Sequence, residues 1–418
     1  MAFQQINAIK VKYSRGQSLV PMGTLVLKNR KFLFEYTPEF LEEGLQLSPF
    51  MLPLKPGVIE CRDRVFDGLF GVFNDSLPDG WGRLLLDRKL LKLGVNPENL
   101  TSLDRLQYVG SRGMGALFYE PEIKDIPLLS KIQADLDLIA KECLDFQVHD
   151  EEKYIDDLLT MNGSSAGARP KILVRLIDAK NSLEMSNNTF FEKHNDWIIK
   201  FRSSNDPIDV GAIEYAYHLM AIEAGMDVPE ARLFKSKEGS GYFGVKRFDR
   251  TTSQFVHMHS VSGLLHIDHR IPSFDYETLM KLILHLTKDK FECEKQFRHT
   301  TFNILSHNRD DHAKNFSFLM DENGVWCLSP AYDLIFSAGP EGEHCTMIMG
   351  EGKIPGISHL LKLADVASIK HERALEIIDQ VKNAVTKWKI FAEEAGVTRQ
   401  SSNRIQIAMD SVFKWFYL

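Results

Sequence analysis

With 418 residues, 44% hydrophobic and 26% charged, the chain has the balance of a soluble globular protein large enough for two or three cores. Its formal net charge of −7 excludes a surface that is basic throughout, and with it broad nucleic-acid binding, though a local basic patch stays open. No apolar run approaches the roughly 20 residues of a membrane span, and no basic-then-apolar leader follows Met1, so the expected location is cytoplasmic with no membrane partner.

In chain order, residues 8–13, 23–27 and 31–36 predict short strands, with Lys28-Asn29 where a hairpin would close. The stretch Phe73–Trp81 opens a predicted helix that runs through Leu90. Tyr108–Leu117 is glycine-rich but lacks the GKS/T ending of a Walker loop, so it reads as tight turns. Pro121 and Pro127 mark a boundary, after which Ile132–Cys143 has helical spacing.

Asn162-Gly163-Ser164-Ser165-Ala166-Gly167-Ala168-Arg169-Pro170-Lys171 then leads into a strand-like run. Small residues let backbone N–H groups approach phosphate oxygens, and Lys171 can add positive charge. If this loop covers a nucleotide, Ser164 and Ser165 lie near the γ-phosphate. Asp196–Phe201 reads as a strand carrying Lys200, and helical periodicity from Ile213 to Gly225 places Glu214 in a first turn, the best partner for that lysine. Tyr242–Arg250 completes the β-rich part. Helical patterns follow at Asp275–Leu286, Glu292–His307, around Leu360 and at Ala374–Ala392; in the last, Leu375, Ile378, Val381, Val385, Trp388 and Phe391 form a core stripe.

The densest signal is Asn308-Arg309-Asp310-Asp311-His312-Ala313-Lys314-Asn315. Kinases receive the acceptor hydroxyl on the Asp of an Arg-Asp-x-x-x-x-Asn loop and bind Mg²⁺ with the Asn. Asp310 stands at that spacing from Asn315; Asp311 is one residue out of register. Two strand-like runs around Asp321-Glu322-Asn323-Gly324 predict a hairpin that returns Asp333 toward Asn315. His312, inside the loop, is expected to fix its geometry by hydrogen bonding; His257, His259, His266, His269 and His344 lack metal-ligand spacing. The five cysteines (Cys61, Cys143, Cys293, Cys327, Cys345) lack C-x-x-C pairing and read as buried thiols of a reducing compartment. Together these features predict an α+β, two-lobed protein-kinase-like fold, β-rich first and helical last, divided at 1–122, 123–250 and 251–418.

The sequence resembles the HipA family of serine/threonine kinases, the toxins of bacterial toxin–antitoxin pairs. The resemblance rests on Leu77-Pro78-Asp79-Gly80-Trp81, Ser164–Lys171, Ile199-Lys200, Arg247-Phe248-Asp249-Arg250, Asp310–Ser317 and Pro330-Ala331-Tyr332-Asp333. It implies ATP and Mg²⁺ as cofactors, Asp310 as the catalytic residue, and Asn315 and Asp333 as metal ligands. It puts Lys200 on the ATP phosphates and the Lys246 to Phe248 segment on the adenine. The loop residues Ser165, Ala166, Gly167, Ala168 and Lys171 complete the nucleotide-binding set, with His312 and Lys314. Ser164, with Ser165 as second candidate, matches the autophosphorylated serine whose modification ejects the loop and silences the kinase. The implied partners are a small HipB-like helix-turn-helix antitoxin, through which DNA contact mainly comes, and a protein substrate such as an aminoacyl-tRNA synthetase. The chain departs from the family pattern at Arg169-Pro170, Lys246, Asp311 and Met258–His266. A small-molecule phosphotransferase of the aminoglycoside-kinase type and a nucleotide-binding co-repressor are the alternative readings.

Overall fold

The computed structural model describes residues 5–123, 134–149, 155–162, 167, 169–177, 182–185, 195–251 and 254–417. The first part is built on an antiparallel sheet of β1 (Ala8–Arg15), β2 (Ser18–Lys28), β3 (Lys31–Tyr36), β4 (Val58–Glu60) and β5 (Leu117–Glu120), in the order β4-β3-β2-β1-β5. The expected hairpin closes between Lys28 and Lys31, with Asn29 and Arg30 at φ 52° and 61°. Positive φ at both turn residues gives the twist that matches paired strands. Helices α1 (Pro38–Glu43), α2 (Gly71–Asn74), α3 (Gly80–Lys92) and α4 (Ser102–Val109) accompany it.

The middle of the chain holds α5 (Leu136–His149), α6 (Ile155–Asn162) and a second antiparallel sheet. Its strands are β6 (Lys171–Ile177), β7 (Ser182–Met185), β8 (Asp196–Lys200), β9 (Ala231–Phe234) and β10 (Tyr242–Lys246), in the order β7-β6-β8-β10-β9. Between β8 and β9 runs α7 (Val210–Glu223), so Glu214 sits in its second turn and not its first as the spacing suggested. It is 3% exposed, which removes it from any helix-dipole role at the surface.

The last part comprises β11 (His257–Ser260), α8 (Val261–Leu265), β12 (Phe274–Asp275), α9 (Tyr276–Thr287), α10 (Lys290–Leu305), β13 (Ser317–Met320), β14 (Trp326–Leu328), β15 (Thr346–Met347), α11 (Ile357–Val366), α12 (His371–Val385), α13 (Trp388–Glu394) and α14 (Arg399–Trp415). The expected hairpin after Asn315 is β13–β14, with Phe318 opposite Leu328 and Met320 opposite Trp326. In its turn Gly324 alone takes positive φ (81°), while the Asp321 carboxylate accepts the N–H groups of Asn323 and Val325.

Two expectations are corrected, for the 374–392 helix and the cysteines, and one helix without a sequence signal is present. The 374–392 helix breaks after Val385: Trp388 is fully buried and its indole N–H donates to the Ser402 carbonyl of α14 at 3.1 Å, which re-aims the chain. Helix α14 itself carries only Ile405, Met409 and Val412 as buried apolar positions on a polar segment, capped by Thr398 on Ser401. Of the cysteines, Cys61, Cys143 and Cys293 are buried, but Cys327 falls on the outer face of β14 and Cys345 is part-exposed beside Asp310.

Among the described residues the buried apolar side chains form two cores. The larger is continuous from the first sheet through α7 into the helical part; the smaller lies under the second sheet and takes in Trp81, Leu85, Leu86 and Leu90 of α3. Polar contacts staple the first part to the others. The Asp75 carboxylate accepts from His259 Nδ1 (2.6 Å), Ser260 N (2.7 Å) and Ser260 Oγ (2.6 Å). Beside it α2 meets α8 so closely that a Cβ at Gly71 would overlap the Gly263 carbonyl. Asp249 binds Arg247 (2.7 Å) and Arg250 (2.8 Å), and accepts the Gly115 N–H at 2.8 Å; Arg250 donates to the Gly113 and Gly115 carbonyls. Burial alone would raise the Asp249 pKa, but the two guanidiniums reverse it and hold the carboxyl well below the carboxylate range.

Because those side chains are 0–1% exposed, Asp249→Ala is expected to cost about 3–5 kcal/mol by leaving two guanidiniums uncompensated. Urea unfolding measures it. The lowered pKa makes the Asp249 contribution complete above the unfolded value of about 3.9, and it fades as pH falls below that.

Candidate active site

A cleft of about 1070 Å³ runs between the second sheet and the helical part, and its walls include Lys171, Lys200, Phe248, Asp310, Asn315 and Asp333. The sheet contributes two lysines from neighbouring strands: Lys171 and Lys200 are direct cross-strand partners at the ends of β6 and β8. Lys200 is ion-paired to both Glu214 of α7 and Asp333. Burial opposes its charge, but the two carboxylates outweigh it and raise its pKa above the ordinary lysine value. Lys171, 5% exposed, is pulled down to about 8, by burial first and then by Lys200, against the attraction of Asp333. Arg169 forks onto Asp206 through Nε (3.1 Å) and Nη2 (3.0 Å).

The helical part supplies the loop after α10. Asn315 donates its amide N–H to the Asp310 carbonyl at 2.6 Å, which fixes the amide orientation and leaves its oxygen as the donor for a cation. Tyr332 donates its hydroxyl to the Lys314 carbonyl (2.6 Å) and meets Ser317 Oγ at 2.7 Å, so the segment carrying Asp333 is tied to the one carrying Asn315. Asp333 takes left-handed backbone at φ 57°, a conformation that costs a non-glycine residue on the order of 1 kcal/mol. Burial would raise its pKa; Lys200, Lys171 and Arg169 together drive it well below the carboxylate range.

Asp310 and Asp311 are separated by their surroundings. The Asp310 side chain is 58% exposed at the cleft mouth. Its pKa is raised, by desolvation from the cleft walls and by repulsion from Asp333 and Asp311, against the pull of His312; water at this exposed group screens the effect. Asp311 is buried and accepts from Tyr276 Oη (2.8 Å), His344 Nδ1 (2.9 Å) and Thr346 N (3.2 Å). It anchors the segment 344–346 and does not reach the cleft. His312 corrects a further expectation. Its ring Nδ1 has no hydrogen-bond partner among the described residues, and Nε2 stands 4.0 Å from Asp310 Oδ1. The loop is fixed through its backbone, since the His312 carbonyl accepts the Asn315 N–H at 2.8 Å.

Of the glycine/serine-rich loop, Ser164, Ser165, Ala166 and Ala168 lie outside the described residues; Gly167 and Lys171 line the cleft. Lys246 and Phe248 line it too, with Lys246 N donating to the Glu230 carbonyl at 2.8 Å and the Phe248 ring 5.5 Å from Tyr332. Lys314 also lines it, held at 2.5 Å by Asp79. Asp79 enters the sequence reading only within the Leu77–Trp81 motif and with no role, because its partners, Gly167 and Lys314, are 88 and 235 residues away. It also explains part of the role of Leu77–Trp81, because Trp81 N donates to the Gly167 carbonyl at 3.0 Å.

The two adjacent aspartates are thereby distinguishable. Asp311→Ala is expected to destabilise the protein by about 3 kcal/mol, because buried donors lose their acceptor, whereas Asp310→Ala should stay within about 0.5 kcal/mol of wild type. Paired urea titrations read both.

Comparison with known proteins places this geometry. A model of the HipA-like C-terminal domain matches residues 163–388, more than half of the 418, and a model of the HipA N-terminal domain matches 17–120. The Y4dM protein of Sinorhizobium fredii, described only provisionally as a kinase, is 30% identical over 214 residues, 47% of this chain and 51% of its own. A protein of Haemophilus influenzae with the same provisional description is 29% identical over 150 residues, 32% of this chain and 44% of its own. The chain thus spans about half the length of the curated relatives it matches. The HipA chain of Shewanella oneidensis MR-1, solved with HipB and operator DNA, superposes with a TM-score of 0.68 at 16% identity, covering 97% of this chain and 98% of that one. The fold is therefore α+β and two-lobed in the protein-kinase manner, and the chain belongs to the HipA family.

Proposed function

We propose that the protein is an ATP- and Mg²⁺-dependent serine/threonine-protein kinase acting on a protein substrate and on its own glycine/serine-rich loop. The observation that carries this reading is the convergence on one cleft of an exposed Asp310, the oxygens of Asn315 and Asp333, and a Lys200 held by Glu214. The donor set suits Mg²⁺, which is commonly held by one or two oxygen ligands from the protein with the rest from phosphates and water. Among the described residues no three His, Cys, Asp or Glu side chains converge on a point, so an all-protein cage is not the arrangement here. When bound, the ion would offset phosphate charge that the cleft alone cannot. There Lys171, Lys200, Arg169 and Lys314 already face the carboxylates of Glu214, Asp333, Asp206, Asp79 and Asp310.

In this reading Glu214 keeps Lys200 aimed at the phosphates, and Phe248 with Lys246 forms the edge of the adenine pocket. Asp310 orients the acceptor hydroxyl and takes its proton, a role its exposure at the cleft mouth permits. Ser164, or Ser165, would be the self-modified residue: added charge of roughly −1.5 to −2 there conflicts with ATP phosphates and so favours inactivation. The Shewanella complex motivates a HipB-like helix-turn-helix antitoxin as partner, with DNA contact mainly through it. An aminoacyl-tRNA synthetase is the candidate substrate class carried over from the family resemblance.

Asp310→Ala is expected to lower phosphotransfer by about 10²–10⁴-fold while Mg-ATP binding survives, measured by radiolabel transfer and calorimetry; wild-type turnover in the variant overturns the assignment. The wild-type rate should fall on acidification with a midpoint above the ordinary aspartate value of about 3.9, because Asp310 must be ionised and its pKa is raised. Mass spectrometry of wild type and Asp310→Ala after Mg-ATP incubation tests self-modification: phosphate on Ser164 or Ser165 is expected in the first alone.

A further inference from the structure

The segment before α3 reaches the cleft from outside both kinase lobes, and Asp79 is its contact. One carboxylate oxygen accepts the Gly167 backbone N–H, and the other takes Lys314 Nζ at 2.5 Å. Two residues on, Trp81 N donates to the Gly167 carbonyl at 3.0 Å, so both polar groups of that one peptide position are held from the first part of the chain. Gly167 has φ 109°, backbone that side-chain-bearing residues rarely adopt, and a Cβ there would overlap Lys171 Nζ. The Gly167 backbone is thus pressed directly against a cleft lysine.

The position of Asp79 sharpens the point. It is the N-cap of α3, where an aspartate ordinarily accepts an N–H of the first turn, yet its side chain caps nothing. The carboxylate is spent instead on two loops of the nucleotide cleft. Lys314, its cation, belongs to the short turn Ala313–Asn315, and the Lys314 carbonyl in turn accepts the hydroxyl of Tyr332, the neighbour of Asp333. Asp79 is thus bonded directly to Gly167 and, through Lys314, linked to the turn carrying Asn315 and to Tyr332.

We propose that Asp79 is a positioning residue for phosphoryl transfer, holding the glycine/serine-rich loop and the catalytic loop in register from the N-terminal part of the chain. The proposal rests on the kinase reading above. Asp79 need touch neither substrate nor nucleotide; it acts through Gly167 and Lys314, and sets the distance between the phosphate-binding side of the cleft and the side carrying Asn315.

The test uses the full-length protein with Asp79→Ala, Asp79→Asn, Asp79→Glu and Lys314→Met. Asp79→Ala should raise KM for Mg-ATP roughly ten-fold or more, as expected for losing charge-assisted bonds that preorganise a site, with a smaller change in kcat. Asp79→Glu should recover part of the loss, and Lys314→Met combined with Asp79→Ala should add little to either alone. Hydrogen exchange on nucleotide-free protein supplies an arm independent of activity: the Gly167 and Asn315 amides should exchange faster in Asp79→Ala, with Asp79→Asn substituting if the alanine variant fails to fold. Wild-type KM and wild-type exchange at those amides, with only a lowered melting temperature, overturn the proposal. If the wild type neither binds Mg-ATP nor transfers phosphate, the kinase reading fails instead, and the exchange measurement still decides whether Asp79 holds the loops.

Discussion

Lys200 is a largely desolvated ammonium, its side chain 12% exposed, and removing a charge from water costs free energy unless it is matched at close range. Its two matching carboxylates come from different directions: Glu214 from α7, whose packing belongs to the larger core, and Asp333 from the segment after β14. Through these two ion pairs Lys200 links β8, α7 and the Asp333 segment. Asp333 makes this pair from its left-handed conformation, with its own side chain 39% exposed toward the cleft. The geometry of the cleft is in this sense preset before any ligand arrives.

What the sequence revealed of this site was its local spacing. Asp310 to Asn315, the hairpin that returns Asp333, and a strand carrying Lys200 all follow from periodicity and turn chemistry within a few dozen residues. The misplacements have a common cause. Glu214 was set one turn off because Val210, Gly211 and Ala212 are buried residues without an amphipathic rhythm, so the helix start left no mark. His312 was assigned a hydrogen bond that its backbone makes instead. Asp311 lay in the same motif as Asp310, and only burial against Tyr276, His344 and Thr346 separates a structural carboxylate from an exposed one.

Long-range pairing was invisible for a different reason. Asp249 and Gly115 are 134 residues apart, and Asp79 and Lys314 are 235 apart. Periodicity carries no information at such separations. The glycine-rich stretch Tyr108–Leu117, expected as tight turns, ends α4 and opens β5 at its two ends, and the turns between present carbonyls to Arg250, which no spacing announces. Helix α14 escaped notice because its three buried positions are diluted by a polar composition, and tertiary packing against Trp388 supplies what local hydrophobicity lacks.

The stretch from Asp75 to Trp81 brings these threads together. Asp75 grips β11 and the start of α8, Asp79 grips two loops of the cleft, and Trp81 fills the core under the second sheet, its ring 5.5 Å from Phe146. A helix running through all seven residues would spread their side chains around one axis. Instead α2 ends at Asn74 and α3 begins at Gly80, which takes φ 42°, while Pro78 restricts the backbone between them. Breaking the helix there lets three side chains four and two residues apart reach three different walls. The first part of the chain is consequently bound to β11, to Gly167, to Lys314 and to the core under the second sheet, and its motif is explained by that mechanical role without requiring any of the three side chains to perform chemistry.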